Sequence, residues 1–596
     1  MIMKHRIPAA IGLMFIVLGL FFSGCEKKIE TTETNWVQDT CNSITDTRKI
    51  GQLLCLTVDP FSYFLFQDYK QNINHLIRKY QPGAIFFSSN LDSIIAETRN
   101  EFNGNKLYNE VVEMQAFSKV PLLIAADFVN GAWYWDRNAT SFPFPLALGA
   151  SRLPEMSYRQ GKITAVEAKA QGINWLFAPV LNTDIDSKNI LQQMQSLGND
   201  PELAGLLGAQ FIKGCQEVSI AACMKYFPGS IKTLSQNISL DEKEPNQIKP
   251  FKAGIDAGVL SVMSSSPITR SSDIDSTIIL SKVNIDDVLR KKLGFKGLIV
   301  TDFNLENFDN AQSELKIFMK TLQAGYDMYI LPELFGGNIP FVDLIIEKIQ
   351  DGNVDTSPFD QSVKRIIELK GILNLQSVKY KSILRSTAGI GLPEYRQTSR
   401  DIANAAVTML KNEDGIIPVN QDQYIVSITF MDEISPLFAS LYSAKIDSIN
   451  DSIKKINIFG TPDIRIQQEI IRRSNEADIV ICSFFLQTTD TMNANSFPLR
   501  CNATSKPSPE IIALIRRIAE VNNHLIIISF YNPYLINYFN EAKGYITTYS
   551  TSDYSMDAVV EVLIGKRETN GRLPIRLSEK YPMGFGLDVS GNKYAD

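Results

Sequence analysis

Histidine is scarce in this sequence, and its scarcity removes whole classes of active site. The 596-residue chain has three histidines, His5, His75 and His524, and His5 falls in an N-terminal segment with the features of an export signal. A histidine-rich zinc site or a Ser-His-Asp triad is hard to build from the two that remain. The sequence therefore predicts neither a metal nor a cofactor.

Long basic runs and paired cysteines are also lacking. The formal net charge is −6, and no extended Lys/Arg stretch follows the N-terminal segment, so a nucleic-acid partner is poorly supported. The seven cysteines include no CxxC pair, which argues against a thiolate metal site. Apart from Cys25, we expect most of them to be small buried residues, although an envelope location would permit a disulfide. They are Cys41, Cys55, Cys215, Cys223, Cys482 and Cys501.

The N-terminal apolar run at residues 11–22 is too short to cross a bilayer comfortably. It leads into Ser23-Gly24-Cys25, which resembles the lipobox of bacterial lipoproteins. We expect residues 1–24 to be a signal peptide, Cys25 to carry the lipid, and residues 25–45 to be a tether, which would anchor the protein on the bacterial cell envelope. The alternative is an ordinary signal peptide followed by an incidental cysteine.

Short apolar runs alternate with helical patterns between residues 50 and 375. Eight βα units over such a length predict a (β/α)8 barrel of the TIM type, with bounds 46–375. In such barrels the chemistry lies at the carboxyl ends of the strands. The eight runs are 53–58, 84–87, 122–126, 173–181, 220–227, 260–263, 298–301 and 328–331.

Most of these runs end in polar residues. The run at 298–301 is apolar or β-branched throughout and stops at Asp302. This pattern indicates a strand that is buried on both faces and is followed by a carboxylate at the rim. A single strand-end Asp is more often structural than catalytic, but the other ends place several polar side chains on the same rim. Those ends are Asp59, Ser88, Asp127, Asn182, Lys225-Tyr226, Ser264 to Ser266 and Pro332.

A second domain is predicted beyond a polar, glycine-containing linker at residues 376–400. Over residues 401–590, strand-like apolar runs again alternate with helical stretches. This pattern predicts a smaller open α/β sheet with helices on both faces, a doubly wound α/β sandwich. It has no Gly-rich phosphate loop, so a nucleotide role has nothing to rest on. Its strand-like runs are 424–430, 456–459, 479–485, 525–530 and 545–549.

Short motifs follow one another through both predicted domains. The first carries Leu123-Ile124-Ala125-Ala126-Asp127, Lys225 with Phe227-Pro228-Gly229, and Gly294-Phe295-Lys296-Gly297 running to Asp302, and the second carries Gly571-Arg572-Leu573-Pro574. In order and spacing they resemble glycoside hydrolase family three, and within it the bacterial β-N-acetylhexosaminidases, which trim N-acetylglucosamine from peptidoglycan fragments. The resemblance covers nearly all of the chain after its N-terminal segment.

The resemblance implies a retaining mechanism and a role for three residues. Asp302 matches the family's nucleophile at the end of the seventh strand, where a carboxylate can attack the anomeric carbon and stabilise an oxocarbenium-like transition state. Asp127 matches the Asp that binds sugar hydroxyls, and Lys225 matches the Lys that donates to them. For Lys225, the alternative is a rim lysine that extends its ammonium group to water.

The sequence also departs from the family pattern where basic side chains and the acid/base dyad are expected. Tyr226 replaces a sugar-binding His, Gln195 and Trp135 replace two Arg, and Ser266 replaces a His. The loop expected to hold the Asp and His of the acid/base dyad, residues 229–238, contains neither residue type. A second-domain Glu serves as the acid/base in other branches, but no Glu occurs between Leu486 and Pro507.

Two hypotheses of different class follow. The first is a working or weakly working β-glycosidase that keeps its nucleophile and lacks the family's acid. General acid catalysis is worth ~10² to 10⁴ in rate, so such an enzyme would be slow on natural glycosides and faster on activated aryl glycosides. The alternative is a catalytically silent envelope lipoprotein that binds a glycan or a partner. The aromatic residues Trp133, Tyr134 and Trp135 are either a sugar-stacking platform or a packed cluster.

Overall fold

The structure is a computed structural model. It describes residues 35–88, 104–183, 190–229, 246–264, 283–302, 310–332, 338–352, 354–378, 389–431, 436–450, 452–485 and 507–590. The predicted signal peptide and residues 25–34 of the predicted tether, Cys25 included, lie outside these ranges. The rest of that interval is not a tether: residues 35–43 are helical, and Trp36 and Val37 pack against the barrel core. Within the described ranges, no helix is both long and apolar enough to span a membrane.

Eight parallel strands form the first domain, and the predicted (β/α)8 barrel is confirmed. The strands are β1 (Leu54–Val58), β2 (Ala84–Phe87), β3 (Leu123–Ala126), β4 (Trp175–Leu176), β5 (Ala221–Phe227), β6 (Ser261–Ser264), β7 (Leu298–Val300) and β8 (Tyr329–Ile330). Their order is β7-β6-β5-β4-β3-β2-β1-β8. A parallel bridge between Val300 and Met328 joins the two ends of the sheet, which closes the barrel.

The fourth strand is much shorter than the apolar run that predicted it. The run at 173–181 gives only Trp175–Leu176, because Pro179 has no N–H to donate to a neighbouring strand. Pairing resumes at Val180, which bridges Lys225 of β5. The barrel is therefore continuous at this point, although the regular strand is interrupted.

Helices cover the outside of the barrel. They are α1 (Asp46–Gln52), α2 (Pro60–Leu65), α3 (Gln67–Tyr80), α4 (Gly104–Phe117), α5 (Pro145–Ser151), α6 (Pro154–Ala170), α7 (Ile190–Gln195), α8 (Pro201–Glu217), α9 (Lys249–Asp256), α10 (Val283–Lys292, wound as a π-helix), α11 (Ala311–Gln323), α12 (Pro340–Gln350) and α13 (Asp360–Ile372). A Cβ at Gly161 of α6 would lie 2.3 Å from the Phe211 carbonyl oxygen of α8. Only glycine permits these two helices to approach so closely.

The second domain contains the predicted α/β sheet with helices on both faces. Its strands are β9 (Thr408–Asn412), β10 (Ile425–Met431), β11 (Lys454–Phe459), β12 (Ile479–Phe484), β13 (Leu525–Ser529) and β14 (Gly544–Thr547), in the order β11-β10-β12-β13-β14-β9. Strand β9 pairs antiparallel to β14 at the sheet edge. The sequence reading missed it, because Lys411 and Asn412 break the apolar run. The helices are α14 (Pro393–Ala406), α15 (Pro436–Ile446), α16 (Ile464–Glu476), α17 (Pro509–Val521) and α18 (Asp553–Leu563).

One buried hydrophobic cluster contains residues of both domains. Leu146 and Ala150 of α5 and Met194 of α7 belong to the same buried cluster as Phe430 of β10. Where the domains meet, the backbone N–H of Asn199 donates to the Pro574 carbonyl oxygen at 2.8 Å. The interval predicted as a linker, residues 376–400, includes the start of α14, which continues directly into β9.

Four of the five cysteines that the structure describes are buried, as predicted for most of the cysteines. They are Cys55, Cys215, Cys223 and Cys482. Cys41 is partly exposed, and none of these five forms a disulfide. Cys25 and Cys501 lie outside the described residues.

Candidate active site

The carboxyl rim of the barrel contains a buried ion pair between two strands. Lys225 lies in β5 and Asp127 follows β3, and the Lys225 ammonium donates to Asp127 Oδ1 at 2.7 Å. The Lys225 side chain is fully buried and that of Asp127 is 13% exposed. A buried ammonium group that keeps its charge needs such a partner, because an isolated charge would be costly there. The structure thus places these two residues in direct contact, and the Lys225 side chain does not extend to water.

A bulge in β5 turns two successive side chains toward this site. Pairing between β5 and β6 shifts register between Lys225 and Phe227, so that Tyr226 is left out of the ladder. The Tyr226 backbone N–H donates instead to Asn182 Oδ1 at 2.7 Å. Successive residues of a regular strand point to opposite faces, and a bulge changes that alternation. Lys225 and Tyr226 can therefore both reach the carboxylates of the rim.

Tyr226 presents a neutral hydroxyl to the site. Its side chain is buried, and its hydroxyl has no hydrogen-bond partner among the described residues. Burial raises the pKa of Tyr226 well above its usual 10, and the negative charges of Asp302 and Asp127 raise it further. A phenol in this setting keeps its proton, so it can donate a hydrogen bond but is a poor proton donor in chemistry.

Asp302 follows β7 and is 6% exposed. Two hydrogen bonds connect the end of β7 to β8 and the residue before it. Thr301 N–H donates to the Met328 carbonyl at 3.1 Å, and Ile330 N–H donates to Thr301 Oγ1 at 2.9 Å. Because the charges of Asp302 and Asp127 both raise the pKa of Tyr226, both carboxylates lie near this phenol. The structure thus brings together four residues named from the sequence.

Two other predicted sugar contacts have different surroundings. Gln195 ends α7 and is partly exposed, next to Ser196, which bridges Val180. Trp135 is 2% exposed and packs edge-on against Phe87 and Phe128, at centroid distances of 5.8 and 4.9 Å. Trp135 is a core side chain, and only its indole N–H lacks a partner among the described residues.

The aromatic residues beside Trp135 contact one another and a cation. Trp133 and Tyr134 stack with ring centroids 4.6 Å apart, and the Arg137 guanidinium lies 4.7 Å from the Trp133 ring centroid. Tyr134 and Arg137 therefore already contact the Trp133 ring where a sugar ring would otherwise stack. The arrangement favours the packed cluster over the sugar platform.

Several predictions fall outside the described residues. The loop at residues 230–238, Ser266 and the second-domain loop at 486–506 belong to this group. In the part of the chain that the structure describes, no group of three His, Cys, Asp or Glu side chains could hold a metal ion.

The sequence reading missed one residue near Asp302. The pKa of Tyr326 is raised to about 12 by burial, with a smaller contribution from the charge of Asp302, while a hydrogen bond with Ser264 acts in the opposite direction. Ser264 was recognisable as a polar strand end. Tyr326 precedes β8, and no local pattern marks a residue whose contact is 62 positions away.

Known proteins resemble the chain over both domains. A β-N-acetylglucosaminidase/β-glucosidase from Cellulomonas fimi is 22% identical over 91% of this chain and 95% of its own length, and β-hexosaminidase A from Pseudoalteromonas piscicida is 24% identical over 65% and 71%. The chain spans about half of a periplasmic β-glucosidase from Salmonella typhimurium that is 25% identical to it over 66% of this chain.

Solved structures share the fold. A glycoside hydrolase family 3 β-N-acetylglucosaminidase from Paenibacillus superposes with a TM-score of 0.71 at 22% identity, over 90% of this chain and 99% of its own. The β-glucoside phosphorylase BglX gives 0.72 at 20% identity, over 92% and 96%. The family models for the glycosyl hydrolase family 3 N-terminal and C-terminal domains match residues 45–369 and 407–588. The chain belongs to glycosyl hydrolase family 3.

Proposed function

We propose that this protein is a retaining β-glycosidase whose nucleophile is Asp302 and whose substrates carry terminal β-linked N-acetylhexosamine or glucose. The observation that carries the proposal is the convergence of Asp302, Asp127, Lys225 and Tyr226 at one place on the barrel rim. The sugars are those in the names of the relatives, and a peptidoglycan fragment is one such glycoside.

The chemistry follows from the charges of these four residues. Asp302 forms a bond to the anomeric carbon while the bond to the leaving oxygen breaks, and water then cleaves the glycosyl ester with a second inversion, so that the β-configuration is retained. Asp127 accepts from sugar hydroxyls, while Lys225 and Tyr226 donate to sugar oxygens. The Lys225–Asp127 contact of 2.7 Å fixes both side chains before substrate arrives, which lowers the cost of ordering them.

Protonation of the leaving group is the weak step of this proposal. Tyr226 keeps its proton beside two carboxylates, and residues 229–238 contain no Asp, Glu or His. The enzyme therefore cleaves activated aryl glycosides faster than alkyl glycosides, by roughly the 10² to 10⁴ that general acid catalysis supplies.

A catalytically silent glycan-binding protein is the second candidate, and the lack of a dyad residue in that loop favours it. Both candidates share the same proposed location on the cell envelope, held by lipid on Cys25. Metabolic labelling with a radioactive fatty acid tests the anchor: Cys25→Ser should abolish incorporation. Label that persists in the variant would overturn the anchor.

The test of function is hydrolysis of 2,4-dinitrophenyl and methyl β-glycosides by the full chain in detergent micelles, with N-acetylglucosaminide and glucoside compared. We expect turnover of the aryl glycosides, release of the β-anomer first, and at least a 1,000-fold loss in Asp302→Asn, in line with removal of a catalytic nucleophile. Azide should accelerate turnover and yield a β-glycosyl azide, because it needs no general base. Phosphate is added in a parallel reaction, since one structural relative is a phosphorylase.

Asp59→Asn is the matched control. Asp59 ends β1 on the same rim, where its carboxylate accepts from Ser62 N–H at 2.8 Å and caps α2. Asparagine caps a helix equally well, so turnover should be unchanged. Equal turnover by wild type and Asp302→Asn would refute the nucleophile. Complete inactivity with every aryl glycoside, together with saturable glycan binding by calorimetry, would establish the silent candidate.

A further inference from the structure

Two hydroxyl groups connect β5, β6 and the segment before β8 through hydrogen bonds. The strand that precedes Asp302, β7, lies between β6 and that segment. The Tyr326 hydroxyl donates to Ser264 Oγ at 2.9 Å, and Ser264 Oγ donates to the Phe227 carbonyl oxygen at 3.0 Å. Ser264 ends β6, Phe227 ends β5, and Tyr326 lies three residues before β8. These bonds therefore join the neighbours of β7 on both sides.

Tyr326 and its neighbour Asp327 contact different parts of the barrel. Asp327 points outward, where it accepts from Arg290 at 2.5 Å and from Arg365 at 2.7 Å, both on helices that cover the barrel. The Tyr326 side chain is 2% exposed, and its hydroxyl lies at the carboxyl end of β6, where it donates to Ser264 Oγ. The negative charge of Asp302 acts on this hydroxyl.

We propose that Tyr326 and Ser264 are positioning residues for Asp302. The hydroxyl pair fixes the end of β6 against the segment that leads into β8, and so holds the neighbours of β7, the strand that precedes Asp302. The inference rests on the proposed role of Asp302 as nucleophile. A phenylalanine would fill the same core volume at position 326, but it would leave Ser264 without the hydrogen bond that it accepts, and a buried polar group needs its partners.

The test compares Tyr326→Phe and Ser264→Ala with wild type on a 2,4-dinitrophenyl β-glycoside. We expect kcat to fall about 10- to 100-fold with little change in KM, because small errors in the placement of a reacting group have effects of that size. If the two residues act as one unit, the double variant should be no slower than the slower single variant.

Tyr329→Phe is the matched control. Tyr329 is a fully buried tyrosine on β8 whose ring packs against Phe318 and Phe341 of the outer helices, and its hydroxyl has no partner among the described residues. Its kcat and KM should match wild type. If wild type is active and Tyr326→Phe has the same kcat and KM, this inference alone is overturned. It is also overturned if the fold-loss of kcat in the double variant equals the product of the losses in the two single variants.

A second measurement separates this inference from the proposed function. A 2,4-dinitrophenyl 2-deoxy-2-fluoro-β-glucoside needs only a nucleophile to form a stable glycosyl ester, which mass spectrometry of the intact protein detects. We expect wild type to be labelled on Asp302 and Tyr326→Phe to be labelled about 10- to 100-fold more slowly. A wild type that neither turns over nor becomes labelled would overturn both proposals, whereas equal labelling rates would overturn only the positioning role.

Discussion

Replacement of Lys370 by methionine should stabilise the barrel near neutral pH and lose that advantage in alkaline solution. Lys370 lies on α13 and is fully buried, and its ammonium donates to Gln52 Oε1 at 2.6 Å. Within the described residues, no carboxylate pairs with it. Burial lowers the pKa of Lys370 from its usual 10.5 to about 7, because the charged form loses its hydration.

The sign and size of the effect follow from that shift. The unfolded chain binds the proton below about pH 10.5 and the folded chain only below about pH 7, so between these values the unfolded state is favoured as pH falls. A difference of 3.5 units between the two values corresponds to an upper bound of about 4.8 kcal/mol. The penalty is about 4 kcal/mol at pH 7 and about 1.4 kcal/mol at pH 9.5.

Methionine fills similar volume without a charge, but it leaves Gln52 Oε1 without its donor, which costs about 1–3 kcal/mol at every pH. The free energy of unfolding of Lys370→Met relative to wild type should therefore fall by about 2–3 kcal/mol between pH 7 and pH 9.5. Differential scanning calorimetry at both pH values measures it, as a difference of several degrees in the relative Tm.

Lys364→Met is the control for this prediction. Lys364 lies on the same helix, its side chain is 58% exposed, and it pairs with Glu368 at 3.7 Å. Its replacement should change stability by less than about 0.5 kcal/mol at either pH. If Lys370→Met shifts the Tm equally at both pH values, Lys370 carries its charge in the folded state and the reasoning from burial is refuted.

Two further predictions concern contacts that hold the barrel and the domains together. Asp327→Asn should destabilise the barrel by about 3–5 kcal/mol, measured as a lower urea midpoint, because it leaves the guanidinium groups of Arg290 and Arg365 without their shared carboxylate; an unchanged midpoint would contradict it. Gly198→Ala should lower the Tm and separate the calorimetric transitions of the two domains, because Gly198 has a φ of 109° and a Cβ there would lie 2.4 Å from the Pro574 carbonyl oxygen. A single transition at the wild-type temperature would show that this contact is dispensable.

Much of the fold could be predicted from local pattern. Apolar runs of strand length that alternate with helical spacing identify βα units, and parallel strands built this way have their carboxyl ends on one rim. That rule was enough to bring Asp127, Lys225 and Asp302 to one site. It failed for β4, where Pro179 cannot donate to the sheet, and for β9, whose polar residues occupy an edge position.

The finer features of the site depend on contacts between distant parts of the chain. The side on which Tyr226 emerges depends on a bulge in the β5–β6 pairing, and the burial of Trp135 depends on Phe87 and Phe128 from other parts of the barrel. The hydroxyl of Tyr326 meets Ser264 only because the barrel closes. The sequence by itself indicated which polar residues follow most of the barrel strands, because that information is local. The tertiary structure decided the direction and neighbours of each side chain, because register, bulges and close packing arise only when distant strands pair.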